Sequence, residues 1–285
     1  MKGIRKNLQL IIGLVIAIGI VVAVGITRPQ AESELRVYFL DVGQGDSAYI
    51  KTPTGEDILI DGGPDNAVLN ELGKVMDFGD HRINLIILTH PHADHLTGLL
   101  EVIRRYTIDE VWETGVEHSS STYDTWKKEI QKRNITDKFV KAGDERNFAE
   151  VKIAVLYPLS SLENRTIDNL NNASMVNRLD YDKFSVLFMG DGESEVQQKL
   201  IDQDIFVDIL KVAHHGSDNG LSEDFLKVVR PAMAVISVGS QNKYGHPGPR
   251  TISLLKTYAV KIFRTDQNGT IEVASDGETY WAKTF

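Results

Sequence analysis

Between Leu85 and Gly98 the chain reads Leu-Ile-Ile-Leu-Thr-His-Pro-His-Ala-Asp-His-Leu-Thr-Gly. An apolar run of strand character stops, and His90, His92, Asp94 and His95 follow within six positions. Neutral imidazole and carboxylate are the ligands that borderline divalent cations such as zinc favour. His90 and His92 alternate on extended chain, so both rings leave the same side, and Pro91 keeps His90 out of the helical region. Asp94 is then the cap or first-turn acid of a helix continuing through Leu96, Leu99, Leu100, Val102 and Ile103. One short loop thus presents two pairs of ligands in two directions, which suits two ions side by side. A polar loop with surface histidines is the competing reading. Four ligands packed this tightly behind an apolar run weigh against it.

Other candidates share one address, the loop after a strand. Asp61 closes an apolar strand at 57–60 and precedes Gly62-Gly63, where the backbone can pass close to something. Asp191 lies between two glycines after a strand at 184–189, and its two oxygens can bridge two cations. His214 directly follows a strand at 208–212 and can complete the coordination of a second ion. His215 is the alternative; either can be the ligand, and His214 is preferred. His246 stands before Pro247 in a turn. Six of the eight histidines fall in these three groups.

The elements that must position them alternate along the chain. Strands are expected at 35–41, 47–51 and 57–60, a helix at 66–78, and a strand at 83–89 leading into the ligand loop. After the helix at 96–106 come a strand at 110–112, a helix at 122–134 and a strand at 151–157. A polar loop fills 158–172. Strands at 175–180, 184–189, 208–212 and 232–238 then alternate with helices at 193–201, 221–229 and 249–258, and strands at 260–264, 270–274 and 279–282 close the chain. Both halves mix strands and helices, and each contains strands that end in Asp or His before a helix. That similarity predicts an α/β domain of mixed sheets in four layers, two sheet-plus-helix layers face to face. Open α/β sheets place sites at strand ends, where all these candidates lie.

Composition sets the outer limits. The 285 residues are 42% hydrophobic and 25% charged, a globular balance rather than a disordered one. There is no cysteine, so disulfides, thiolate catalysis and cysteine-bound zinc are excluded and any metal must rest on His, Asp or Glu. Lys2, Arg5 and Lys6 precede an uncharged run from Leu8 to Ile26, close to the roughly 20 residues that span a bilayer. Residues 1–30 are therefore expected to be an N-terminal signal anchor and linker. The positive flank predicts a single pass with residues 31–285 outside the cytoplasm, at the cell membrane; a cleaved signal and secretion are the alternative. Lys2, Arg5, Lys6 and Arg28 are the only charged residues of 1–30, so the remainder carries 27 basic residues against 40 acidic ones, a net charge near −13. That balance argues against indiscriminate DNA binding. The local basic cluster of Lys127, Lys128, Lys132, Arg133, Lys138 and Lys141 reads as a solvated helix face.

Taken together, Phe39-Leu40-Asp41-Val42-Gly43-Gln44-Gly45-Asp46, Leu59-Ile60-Asp61-Gly62-Gly63, the His90–His95 loop, Met189-Gly190-Asp191, Val212-Ala213-His214-His215-Gly216-Ser217 and Tyr244-Gly245-His246-Pro247 resemble the metallo-β-lactamase superfamily. Within it they resemble the extracellular hydrolase domain of ComEC-type competence proteins. The resemblance covers about 35–275 and implies an αββα sandwich with a dinuclear site in a hydrolase domain at 31–285. It implies that His90 and His92 bind one ion, that Asp94, His95 and His214 bind the other, and that Asp191 bridges them. Asp61 would orient the ligand loop, and His246 would meet the substrate or stabilise the leaving charge. Asp94, His215 and His246 are the catalytic candidates. The superfamily usually supplies a further His to the first ion. This chain has Asn171-Asn172-Ala173-Ser174 there, with Ser174 a supporting residue behind the ligands, as in ComEC-type domains, and His118 is the only other His in the interval. His90 and His92 should therefore hold the looser ion. A chain with one candidate membrane segment is expected not to form a pore itself.

Two divalent ions, Zn2+ or Mn2+, at such a site lower the pKa of water towards 7 and suit attack on a phosphodiester. The leading expectation is a metal-dependent phosphodiesterase or nuclease outside the membrane, with a phosphodiester, possibly DNA, as substrate. A cell-envelope phosphodiester or a lactone is the alternative substrate, and a non-catalytic binding module the alternative class. The sequence points to no protein partner.

Overall fold

The computed structural model describes residues 34–285. The anchor expected at 8–26 lies outside them, and among the described residues no helix is long and apolar enough to cross a membrane.

In chain order the elements are β1 (Leu35–Phe39), β2 (Ala48–Lys51), β3 (Asp57–Ile60), α1 (Ala67–Val75), β4 (Arg82–Ile83), β5 (Leu85–Ile87), α2 (Ala93–Arg105), β6 (Thr107–Ile108), β7 (Glu110–Glu113), α3 (Ser121–Arg133), β8 (Thr136–Phe139), β9 (Glu145–Phe148) and β10 (Val151–Tyr157). They continue with β11 (Val176–Tyr181), β12 (Phe184–Phe188), α4 (Ser194–Gln198), β13 (Ile209–Lys211), α5 (Glu223–Val229), β14 (Met233–Ile236), α6 (Pro249–Thr257), β15 (Lys261–Arg264), α7 (Thr265–Asn268), β16 (Ile271–Ser275) and β17 (Tyr280–Thr284).

Two large mixed sheets result. One has the order β17-β16-β1-β2-β3-β5-β7-β8, the other β15-β14-β13-β12-β11-β10-β9. In the first, neighbours from β17 to β3 pair antiparallel and those from β3 to β8 pair parallel. The second repeats the change at β12, antiparallel towards β9 and parallel towards β15. Parallel neighbours need a crossover, and a helix supplies each one: α1, α2 and α3 in the first sheet, α4, α5 and α6 in the second.

Side-chain alternation sorts the residues into layers. Leu35, Val37 and Phe39 of β1 join Phe184, Val186 and Phe188 of β12 in a core between the sheets, with the Phe39 and Phe188 ring centroids 5.9 Å apart. Tyr38, Leu59 and Ile86 turn the other way and join Leu96, Leu99 and Ile103 of α2. On the far side Leu187, Leu210 and Ala234 join Val196, Phe225 and Leu255 of the helices. Helices thus cover the outer face of each sheet, giving the four expected layers. Burial on both faces explains why these strands read as near-continuous apolar runs. Each fully buried large apolar side chain contributes about 1.5–3 kcal/mol.

Several boundaries differ from expectation. Strands β8 and β9 went unread because Thr-Asp-Lys-Phe and Glu-Arg-Asn-Phe are mostly exposed and carry no apolar run. Both lie at sheet edges, where polar residues discourage further pairing. Helix α2 begins at Ala93, with His92 at its cap position, so Asp94 is a first-turn acid and not the cap.

Candidate metal centre

Five chain segments deliver the site to one end of the paired sheets. Asp61 follows β3, His90 and His92 follow β5, and Asp94 and His95 open α2. Asp191 follows β12 through Gly190, and His215 follows β13. The first three segments are bonded together through backbone. Gly62 N–H donates to the His95 carbonyl at 2.7 Å, and Gly98 N–H donates to that of Gly63 at 3.0 Å.

Hydrogen-bond bookkeeping fixes which imidazole nitrogens point inward. The buried Asp61 carboxylate accepts the Thr89 N–H at 2.8 Å and its hydroxyl at 2.7 Å, and it faces His95 Nδ1 at 2.8 Å. Burial raises the Asp61 pKa, and His95 and Thr89 oppose that rise. Three donors on two oxygens are satisfied by the ionised form, which only accepts. His95 Nδ1 therefore carries a proton, and Nε2 is left facing Asp191 Oδ1 at 3.3 Å. The Thr89 hydroxyl proton is spent on Asp61, so Thr89 Oγ1, 3.2 Å from His90 Nδ1, accepts from it. Ser174 Oγ lies 3.1 Å from the same nitrogen and accepts the Asp191 N–H at 3.0 Å. His90 Nε2 is thereby left as a lone pair, 2.9 Å from His92 Nδ1 and 3.8 Å from Asp191 Oδ2. His215 Nδ1 donates to the Ser237 carbonyl at 3.0 Å, which leaves Nε2 3.2 Å from Asp94 Oδ2 and 3.9 Å from Asp191 Oδ2. Outer partners that lock a tautomer and aim its free nitrogen inward are characteristic of metal sites.

Two sets converge on the cleft, each with all its atoms within 4.8 Å of one another: Asp94, His95, Asp191 and His215; and His90, His92 and Asp191; a third, Asp46, Asp61 and His95, lies behind them. Asp191 belongs to the first two. Its Oδ1 and His95 Nε2 are buried with no hydrogen-bond partner among the described residues. Converging lone pairs and carboxylates with two orphaned atoms fit divalent cations.

Without a cation, protons stand in for it. Burial would lower His95, but Asp191 and Asp61 hold it well above its ordinary value. Burial would also lower His215, which Asp191, Asp46 and Asp94 push up to about 10. His90 is held well below its ordinary value by burial and by His95. Burial works against the Asp191 carboxylate, yet His95 and His215 hold its pKa well below the usual range.

The turn after β13 brings His215, and not the preferred His214, into the converging set. His214, His215 and Gly216 all take positive φ, 50°, 51° and 75°. Extended chain would have alternated the side chains, whereas this left-handed turn carries His215 inward. His214 instead faces Glu193 Oε1 at 3.0 Å and Ser217 Oγ at 3.3 Å. It lines an open cleft of about 290 Å3 together with His92, Asp94, Asp191, His215 and His246. The His246 ring centroid lies 5.4 Å from that of His214 and 6.3 Å from that of His215. Its Nδ1 is buried without a hydrogen-bond partner among the described residues, and it belongs to neither ligand set. Asn171 lines the cleft near His214, and His118 sits apart against Tyr123 with ring centroids 6.1 Å apart.

Sequence reasoning overlooked two charged residues. Asp46 Oδ2 meets Lys211 Nζ at 2.6 Å, both buried, and Lys211 also donates to the Val212 carbonyl at 2.9 Å. Asp46 N–H donates to the Asp94 carbonyl at 3.2 Å, and Asp46 Oδ1 lies 3.2 Å from His215 Nδ1. Asp46 thus touches both Asp94 and His215 from behind. The available signal was a lysine within Ile-Leu-Lys-Val, since a lysine in a buried strand requires a carboxylate.

Comparison with known proteins agrees with this geometry. The family model of the metallo-beta-lactamase superfamily matches residues 40–239. ComE operon protein 3 of Bacillus subtilis is 28% identical over 263 residues, covering 86% of this chain and 33% of its own length. Competence protein ComA of Neisseria gonorrhoeae is 25% identical over 256 residues, covering 86% and 33%. The chain thus spans about a third of the length of these relatives. Among solved structures, the metallo-beta-lactamase fold protein YhfI of Bacillus subtilis superposes with a TM-score of 0.56 at 13% identity, covering 88% of this chain and 99% of its own. The chain belongs to the metallo-beta-lactamase superfamily, in general a family of metal-dependent hydrolases, and its relatives include competence proteins of the ComEC type.

Proposed function

We propose that this chain is a metal-dependent phosphodiesterase that binds two divalent ions, Zn2+ or Mn2+, and cleaves nucleic acid outside the membrane. The observation that carries the reading is the shared Asp191, one buried carboxylate facing two sets of ligands. The competence names of the relatives support nucleic acid as the substrate. The basic flank and uncharged run at 8–26 support a membrane-anchored, extracytoplasmic placement.

Bound there, the cations would make water nucleophilic near neutral pH and offset charge on the phosphate. The protein's own residues hold that arrangement and exclude alternatives. Asp61 fixes His95, Thr89 and Ser174 fix His90, and Ser237 fixes His215. His246, at the cleft wall, would meet the substrate or stabilise the leaving charge. The set of His90, His92 and Asp191 has one residue fewer than its neighbour, so its ion is the looser of the two and metal analysis should find it partly occupied.

The full chain with Mn2+ or Zn2+ should hydrolyse bis(p-nitrophenyl) phosphate, and the double change His92→Ala, Asp191→Ala should abolish this. Hydrolysis that survives the double change sinks the site assignment. The acidic balance of residues 31–285 favours a second reading, a small envelope phosphodiester or a lactone. Oligonucleotide binding that weakens as salt rises would select nucleic acid, and the absence of binding would select the small substrate.

A further inference from the structure

The segment from Gly239 to Gly248 carries Tyr244, which is 71% exposed while its backbone N–H is held by Asn242. Asn242 clamps the loop on itself. Its Nδ2 donates to the carbonyls of Gly239 at 2.9 Å and His246 at 2.8 Å, and its Oδ1 accepts the N–H groups of Tyr244 at 3.2 Å and His246 at 3.0 Å. The loop rests on the turn before β2, where Gly239 N–H donates to Gln44 Oε1 at 3.1 Å. There a side chain at 239 would come within 2.7 Å of the Gln44 backbone nitrogen.

The clamp sets the Tyr244 and His246 rings nearly parallel, 26° apart with centroids 5.7 Å from one another. Both rings line the cleft that contains Asp94, Asp191 and His215. Gln44 lines it too, and its Nε2 is buried with no hydrogen-bond partner among the described residues. An exposed aromatic face and an unused amide donor therefore share one cleft with the candidate metal centre. Every nucleobase offers a flat π-face to such a ring, whatever its identity.

Building on the phosphodiesterase reading, we propose that Tyr244 is a stacking platform for the nucleobase flanking the scissile phosphodiester, with Gln44 Nε2 donating to an oxygen of the same nucleotide. A base stacked on this ring has left any duplex, so the substrate is an unpaired, base-bearing strand.

The test compares a single-stranded oligothymidylate with an oligomer of equal length built from abasic linkages, using the Mn2+-loaded full chain. Wild type should show the lower KM for the base-bearing strand. Tyr244→Ala should raise that KM about 10-fold and leave the abasic KM where it was, while Tyr244→Trp should restore the preference. Equal KM values for the two strands in wild type overturn the platform and leave the phosphodiesterase reading standing. So does a Tyr244→Ala effect of the same size on both strands. If neither strand is cleaved or bound, the nucleic-acid reading itself fails and the platform falls with it.

Discussion

Asp61 coordinates nothing in the proposed arrangement, yet it decides which nitrogen His95 offers. Its two oxygens accept from Thr89 and face His95 Nδ1 at 2.8 Å. Asp61→Asn keeps the shape but replaces an acceptor with an amide that donates, so His95 loses its enforced tautomer. Metal affinity of the set containing His95 should fall about 10- to 100-fold with the fold retained, as titration of the chelated protein would measure. Protonation supplies a second prediction at this scale. Burial would lower His215, but Asp191, Asp46 and Asp94 raise it from an ordinary 6.5 to about 10. A raised folded-state value contributes stability that is fully present below pH 6.5 and lost as pH climbs through about 10. The chelated protein should therefore lose melting temperature across that window, with His95 adding to the loss because its value is also raised. The metal-loaded protein should not, because the cation then takes the place of the protons. A flat melting temperature in chelator from pH 7 to 10 contradicts this.

At the level of elements, the site depends on how closely α2 approaches the exit of β3. A Cβ on Gly98 would lie 1.9 Å from the Gly62 carbonyl oxygen, and one on Gly62 would lie 2.5 Å from Leu99 N. Backbone atoms cannot yield as a side-chain tip can. Gly98→Ala should force α2 outward, cost about 3 kcal/mol or more and weaken metal binding, because His95 would leave Asp61. Denaturant unfolding and metal titration of the same variant check both effects. Gly62-Gly63 was legible as a close approach, and the approaching element proved to be α2 itself. The ligand loop and the layers were legible because their signals are local: spacing after an apolar run, and alternation on strands buried from both sides. The choice between His214 and His215 was not, because it depends on a left-handed turn at non-glycine residues that no periodicity encodes. Asp46 and Lys211 were missed for another reason. They lie 165 positions apart and become a pair only when the turn before β2 meets the end of β13.

Across the whole molecule, charge determines how nucleic acid could approach. Three of the six members of the basic cluster on α3 and its exit meet acids. Lys127 meets Glu113 and Asp137, Lys138 meets Glu110 at 2.5 Å, and Arg133 meets Glu129 at 3.1 Å. That matches a solvated helix face, with Lys128 and Lys132 exposed on it. With residues 31–285 near −13, the proposed route puts phosphate contacts in the cleft, about two or three of them, one per cation and flanking nucleotide. Counterion release then gives a slope of log affinity against log salt of about −1.5 to −2 for a single strand, against the steeper values of proteins that follow a backbone over many phosphates. Reversing the exposed pair, Lys128→Glu with Lys132→Glu, should change neither that slope nor the rate of cleavage. A slope several times larger, or one that the double reversal flattens, would place the binding surface on α3 and remove the cleft as the route by which the strand enters.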